Sequence, residues 1–154
     1  MLSSKINTHP TYFDNRGCLG ILEHNIHNIS WDRTITAYNE KKYTFRGMHY
    51  QNPSPQIKYI KVIRGSIVDF LYNLDTHEVE RYELNVDNSL LVPYNYAHGY
   101  LTLEPNTIVT YLISGDYIPS NEKIISYHGI DKISSELSSL NNITISDKDL
   151  FRNP

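Results

Sequence analysis

Lys58-Tyr59-Ile60-Lys61-Val62-Ile63-Arg64-Gly65-Ser66-Ile67-Val68-Asp69-Phe70-Leu71-Tyr72 is two β-branched and aromatic runs on either side of an Arg-Gly pair. Such runs suit a pleated, half-buried surface, and the glycine between them reads as a hairpin turn. Further runs of the same kind occupy residues 78–84, 89–92, 99–103, 107–113 and 123–127. Turn-forming stretches separate them: Asn73-Leu74-Asp75, Asn85-Val86-Asp87-Asn88, Glu104-Pro105-Asn106 and Ser114-Gly115-Asp116. Short strands at this spacing, with no helices between them, predict an all-β sandwich or barrel. Weak helical patterns occur only around residues 25–31 and 134–140. The first forty residues and the last twenty-five are expected to wrap the barrel or reach a partner subunit.

The chain has 154 residues, the length of one domain with a substantial core, and residues 1–154 are read as a single unit. A net charge of −3 without a basic run argues against a nucleic-acid platform. The single cysteine, Cys18, rules out an intramolecular disulfide and fits a reducing compartment. The first residues lack the apolar segment of a signal peptide, and no apolar run reaches membrane-spanning length, so a cytoplasmic protein without membrane association is expected. Asn28-Ile29-Ser30 and Asn142-Ile143-Thr144 match the glycosylation triplet, which carries no meaning without secretion. Thirteen tyrosines suit half-buried strands as well as stacking on a sugar or base.

Chemistry is densest in Arg46-Gly47-Met48-His49-Tyr50-Gln51. In a regular strand Arg46 and His49 point to opposite faces; a bulge or bend at Gly47 brings both into one pocket. An arginine for phosphate beside a histidine of near-neutral pKa suits proton chemistry on a phosphorylated ligand. The alternative is an edge strand with a solvated arginine and a packed histidine. Taken singly, Lys58, Tyr111, His98 and Arg16 also have structural readings: an edge charge, a core tyrosine, a loop anchor and a turn cap.

Taken in order, several elements align: Asp14-Asn15-Arg16-Gly17; Phe45 through Gln51; Ile57-Lys58; Lys61 through Asp69; Val92-Pro93 with Ala97-His98-Gly99-Tyr100; and Tyr111 with Tyr117-Ile118-Pro119. This set resembles the dTDP-4-dehydrorhamnose 3,5-epimerase family from about Phe13 to Tyr127. The resemblance implies a cupin-type jelly roll (a double-stranded β-helix) with short peripheral helices, a homodimer, and action on nucleotide-diphosphate 4-keto sugars. It implies His49 as the base that removes the proton α to the ketone, Lys58 as the cation that steadies the enolate, and Tyr111 as the acid on the far face. Arg16 and Arg46 match positions that contact the diphosphate, a bidentate role that suits arginine. The resemblance also implies that Gln51 and Tyr117 border the sugar or base and that His98 lies near the pocket. Neither a metal nor a cofactor is implied.

The chain departs from the pattern where an aspartate partner for His49 is expected after Tyr127. His128 and Gly129 stand there, leaving His128, Asp131 and Asp69 as candidates. A glutamate expected five residues after Arg16 is Ile21, with Glu23 two residues further on. A nucleotide-sugar binder without turnover is therefore a second reading. A metal-dependent cupin is a third, disfavoured because His49-Tyr50-Gln51 lacks a second histidine and His24 and His27 precede the barrel.

Overall fold

The computed structural model describes residues 2–22 and 28–151. Twelve strands and two short α-helices form it, and ten of the strands lie in two five-stranded sheets. The first sheet has the order β1 (Lys5–Thr8), β9 (Asn88–Val92), β6 (Ile57–Arg64), β11 (Thr107–Ser114), β4 (Arg33–Asn39). The second has the order β12 (Glu122–Ile124), β5 (Phe45–Gln51), β10 (Tyr96–Thr102), β7 (Ile67–Asn73), β8 (Val79–Leu84). Among the described residues, strands β2 (Thr11–Asp14) and β3 (Gly17–Gly20) pair only with each other. The chain crosses repeatedly from one sheet to the other, which makes the body a jelly roll, as expected.

The Arg64-Gly65 turn is an arch and not a hairpin. β6 pairs with β9 and β11, whereas β7 pairs with β8 and β10. Gly65 has φ +84°, and a Cβ there would stand 2.3 Å from Thr107 Oγ1. A left-handed glycine serves an arch as well as a hairpin, so the turn alone does not choose between them. The amino-terminal region also differs from a wrapping segment, since β1 and β4 are hydrogen-bonded members of the first sheet.

Side-chain alternation divides the core in two. Along β7, Ile67 and Leu71 enter the cluster between the sheets with Ile60, Val62, Leu90, Val92, Tyr100 and Val109. Val68 and Phe70 point outward and are covered by Ile133 and Leu137 of helix α1 (Asp131–Ser138). α1 begins before residue 134 and has no side-chain N-cap, so the sequence carries no start signal for it. The Arg81 guanidinium of β8 donates to both Glu136 oxygens, at 2.9–3.1 Å, and ties α1 to the sheet. Of the helical pattern at residues 25–31, residues 28–31 form a turn and irregular chain with no helix, and 25–27, with His27, lie outside the described residues, as do Glu23 and His24.

The carboxy-terminal segment lies beside the start of β5. Thr144 bridges Thr44 in parallel, its carbonyl accepting from Phe45 N at 2.8 Å and its N–H donating to Tyr43 O at 3.0 Å. Helix α2 (Asp147–Phe151) follows. Ser146 caps it, accepting the Asp149 N–H on its hydroxyl at 3.3 Å.

Candidate active site

A cavity of about 380 Å³ opens between the two sheets, walled by Arg46, His49, Lys58, His98, Tyr111 and Asp149 among others. Its geometry begins at Gly47. Opposite β10, Arg46 pairs with Tyr100 and His49 with His98, so three steps of β5 oppose two of β10. This bulge resolves the parity conflict in the sequence, and Arg46 and His49 reach one pocket. The backbones approach closely there: a Cβ on Gly47, whose φ is +145°, would lie 2.5 Å from Gly99 Cα.

His49 has a carboxylate partner, and it is Asp149. The Oδ1 of Asp149 is 2.6 Å from His49 Nε2, while Oδ2 accepts the Gly47 N–H at 3.1 Å. Burial pushes the Asp149 carboxyl up, but its bond and charge interaction with His49 and the Gly47 N–H outweigh that and hold it below the ordinary range. The three candidates named from the sequence are all elsewhere. His128 is exposed and packs at a tilt against Tyr127 with ring centroids 4.1 Å apart, outside the cavity. Asp131 opens α1, and Asp69 bonds to His98. The missed signal was Ser146-Asp147-Lys148-Asp149, a capping pattern that announces a helix turn near the end of the chain. Nothing local links that turn to His49.

Lys58 lies across the cavity on β6, its Nζ 3.4 Å from the His49 carbonyl. Burial pulls its pKa down to about 8, against the charges of Asp69 and Glu122, which favour the ammonium form. Behind it, His98 Nε2 is 2.9 Å from Asp69 Oδ2, both residues being buried. Burial pushes the Asp69 carboxyl up and the His98 imidazole down, so the low-dielectric surroundings work against a full ion pair. Tyr111, on β11, places its ring 5.8 Å from that of His98, edge to face. Burial raises the Tyr111 phenol well above its ordinary value.

The remaining expected residues divide. Arg46 is exposed at the mouth, with Nε donating to Asn39 Oδ1 at 2.8 Å. Tyr117 forms the rim beneath Arg33, whose guanidinium carbon is 4.6 Å from the ring centroid. Gln51 lines the cavity, but its amide is spent on backbone: Nε2 donates to Ser54 O and Asp116 O, and Oε1 accepts from Ile118 N. It therefore shapes the loop carrying Tyr117. Arg16 is absent from this cavity. It stands at the β2–β3 turn, paired with Asp14 at 2.5 Å, its side chain 85% exposed. Sequence reasoning missed Arg33 and the pair Lys148–Glu122, bonded at 2.7 Å, which also line the cavity. Among the described residues, no group of three or more His, Cys, Asp or Glu is arranged to hold a metal ion. No helix there is long and apolar enough to cross a membrane.

A sequence model described as dTDP-4-dehydrorhamnose 3,5-epimerase matches residues 14–153. The chain belongs to the dTDP-4-dehydrorhamnose 3,5-epimerase family. A curated member from Methanothermobacter thermautotrophicus is 35% identical over 112 residues, which is 68% of this chain and 60% of that protein. The match thus spans less than two thirds of that relative's length. The crystal structure of the dTDP-4-dehydrorhamnose 3,5-epimerase from Bacillus anthracis, described with TDP and PPi bound, superposes with a TM-score of 0.81. It is 27% identical, and the superposition covers 96% of this chain and 91% of that one. A 3'-monoepimerase from Streptomyces bikiniensis shares the fold at 17% identity, with a TM-score of 0.79 over 95% of this chain and 80% of that one. The epimerase family thus accounts for nearly the whole chain, tail included, and residue 149 falls within the matched span.

Proposed function

We propose that this protein epimerises nucleotide-linked 4-keto sugars at C3, C5 or both, in deoxysugar or heptose biosynthesis for a surface polysaccharide. The observation that carries this reading is the His49–Asp149 pair facing Lys58 and Tyr111 across one cavity. The His49 ring nitrogen not engaged by Asp149 removes the proton α to the C4 ketone, and the Asp149 charge stabilises the imidazolium that forms. Lys58 stabilises the negative charge moving onto the C4 oxygen. Tyr111 returns a proton to the opposite face, which inverts the centre. Arg46 meets the diphosphate, and Tyr117 with Arg33 borders the nucleotide base at the rim. His98 acts beneath the sugar, next to Lys58 and Tyr111. The TDP held by the Bacillus anthracis relative favours a dTDP-linked substrate. The family's nucleotide-activated substrates favour a cytoplasmic enzyme.

The active form is a homodimer in this reading. The β2–β3 hairpin exposes Tyr12, Phe13 and Leu19 at 58%, 75% and 66%. Side chains of that size gain by burial against a second copy. Arg16, at the hairpin tip, then serves a diphosphate in the neighbouring copy's cavity and not in its own.

The binder without turnover drew its support from a missing carboxylate, and Asp149 removes that support. Proton NMR in deuterated water tests the epimerase reading, with dTDP-linked 4-keto sugars as substrates. Loss of the C3 or C5 proton signal is expected. Nucleotide binding without any exchange would refute it.

A further inference from the structure

Tyr100 carries a hydroxyl in a place where packing does not call for one. Its side chain is fully buried among Ile60, Val62, Leu71, Val92 and Val109, between the sheets. A phenylalanine would bury the same ring without desolvating a hydroxyl. That hydroxyl donates to Asn39 Oδ1 at 3.2 Å. On its other side stands Tyr111, with ring centroids 6.1 Å apart and the rings tilted by 41°, and the neighbouring Tyr100 phenol adds to the rise of the Tyr111 pKa that burial causes. Tyr111 is part of the cavity wall and Tyr100 is not.

Asn39 makes this chain reversible. Its Oδ1 accepts from Arg46 Nε as well as from Tyr100, and its Nδ2 donates to Thr107 O at 3.1 Å and Ala37 O at 3.4 Å. If the Tyr100 O–H turns away, Asn39 Oδ1 still holds the arginine N–H. No buried acceptor is orphaned by the swing. The sequence Tyr111 to Tyr100 to Asn39 to Arg46 thus runs from the reacting face to the charged mouth.

Resting on the epimerase reading, we propose that Tyr100 is a positioning residue for reprotonation, acting through Tyr111. In that step the Tyr111 O–H bond breaks and a C–H bond forms at the α-carbon, on the face away from His49. The enolate pair becomes that bond, the C4 carbonyl re-forms, and the negative charge is left on the Tyr111 oxygen. The Tyr100 O–H then turns from Asn39 to this phenolate. Solvent takes the proton from His49 and reloads Tyr111 after release, so the cycle closes without net proton change. A hydrogen bond to an ionised oxygen is about twice as strong as one between neutral groups, so the Tyr100 O–H gains by turning to the phenolate.

Tyr100→Phe tests this, with the dTDP-linked 4-keto sugar in deuterated water and two readouts. Losing a hydrogen bond to a charged group corresponds to roughly a 10- to 100-fold effect. Inversion is expected to slow by that factor, while deuterium exchange with retained configuration and dTDP affinity stay near those of the unsubstituted protein. Equal rates in both proteins, or an equal fall in exchange and inversion, would overturn the proposal and make Tyr100 a scaffold residue. A readout without substrate keeps the two ideas separable. The ¹³Cζ resonance of labelled Tyr111, assigned with Tyr111→Phe, is expected to move in Tyr100→Phe. An unmoved resonance overturns the hydroxyl contact whatever the activity. Absence of exchange in the unsubstituted protein counts against the epimerase reading alone, and the resonance then decides the contact.

Discussion

The carboxylate of Asp149 meets the ring of His49 at 2.6 Å across 100 residues of chain. Asp149 is buried and His49 is partly open to the cavity, so one side of the pair is dry and the other faces the cavity. Asp149→Asn keeps the shape and removes the charge that stabilises the imidazolium. The catalysed exchange rate is expected to fall by about 10²–10⁴, the usual contribution of a working general base, while nucleotide affinity holds. A rate within threefold of the unsubstituted protein would mean that His49 needs no such partner.

His49→Ala should abolish deuterium exchange and leave dTDP binding largely intact, as measured by calorimetry. Loss of both together would make His49 a structural residue of the β5 bulge.

Lys58 predicts opposite pH trends for activity and stability. Its amine is charged below about pH 8 and neutral above, so the role proposed for it predicts that kcat falls as pH rises through about 8. In the unfolded chain the ordinary value is 10.5, so between about 8 and 10.5 the unfolded state binds more protons and this group's contribution to stability rises with pH. Removing a supporting charge, in Glu122→Gln or Asp69→Asn, should move the alkaline limb of the kcat profile to lower pH. A limb that stays in place in both variants would assign it to another group.

Gly99→Ala should destabilise the fold and the site together. A Cβ there would stand 2.7 Å from Met48 Sδ and 2.8 Å from Arg46 O, so β5 must shift at the bulge that aims Arg46 and His49. A cost of about 1–3 kcal/mol is expected in denaturant unfolding. Gly129→Ala, with nothing within 4 Å of the added carbon, is the control and should stay within about 0.5 kcal/mol.

The hairpin prediction concerns assembly. Charged replacement of Phe13 and Leu19 together should convert a dimer into a monomer by sedimentation, and Arg16→Ala should weaken dTDP binding without changing the sedimenting species. A monomeric unsubstituted protein would remove the role given to Arg16.

Much of the barrel was legible because a strand's signal is local. The run 58–72 shows its β-branched and aromatic character residue by residue, and the inward positions Lys58, Asp69, His98 and Tyr111 follow from a period of two once the apolar neighbours are known. The order of those residues along the chain was enough for the family. What stayed hidden was pairing. Arg64-Gly65 reads equally as a hairpin or an arch, and the choice falls to β9, β10 and β11, which arrive later in the chain and take β6 and β7 into separate sheets.

Asp149 marks the same boundary at the site. Its four-residue capping pattern is visible in the sequence, yet its contact with His49 depends on Thr144 laying the tail against Thr44 and Phe45. Local chemistry settles which residues can act as base, cation and acid, because those properties belong to the side chains. Which carboxylate partners His49, and which face Arg46 and His49 share, was decided only when a bulge and a distant tail closed on β5. Those contacts come from tertiary packing, which local spacing does not encode.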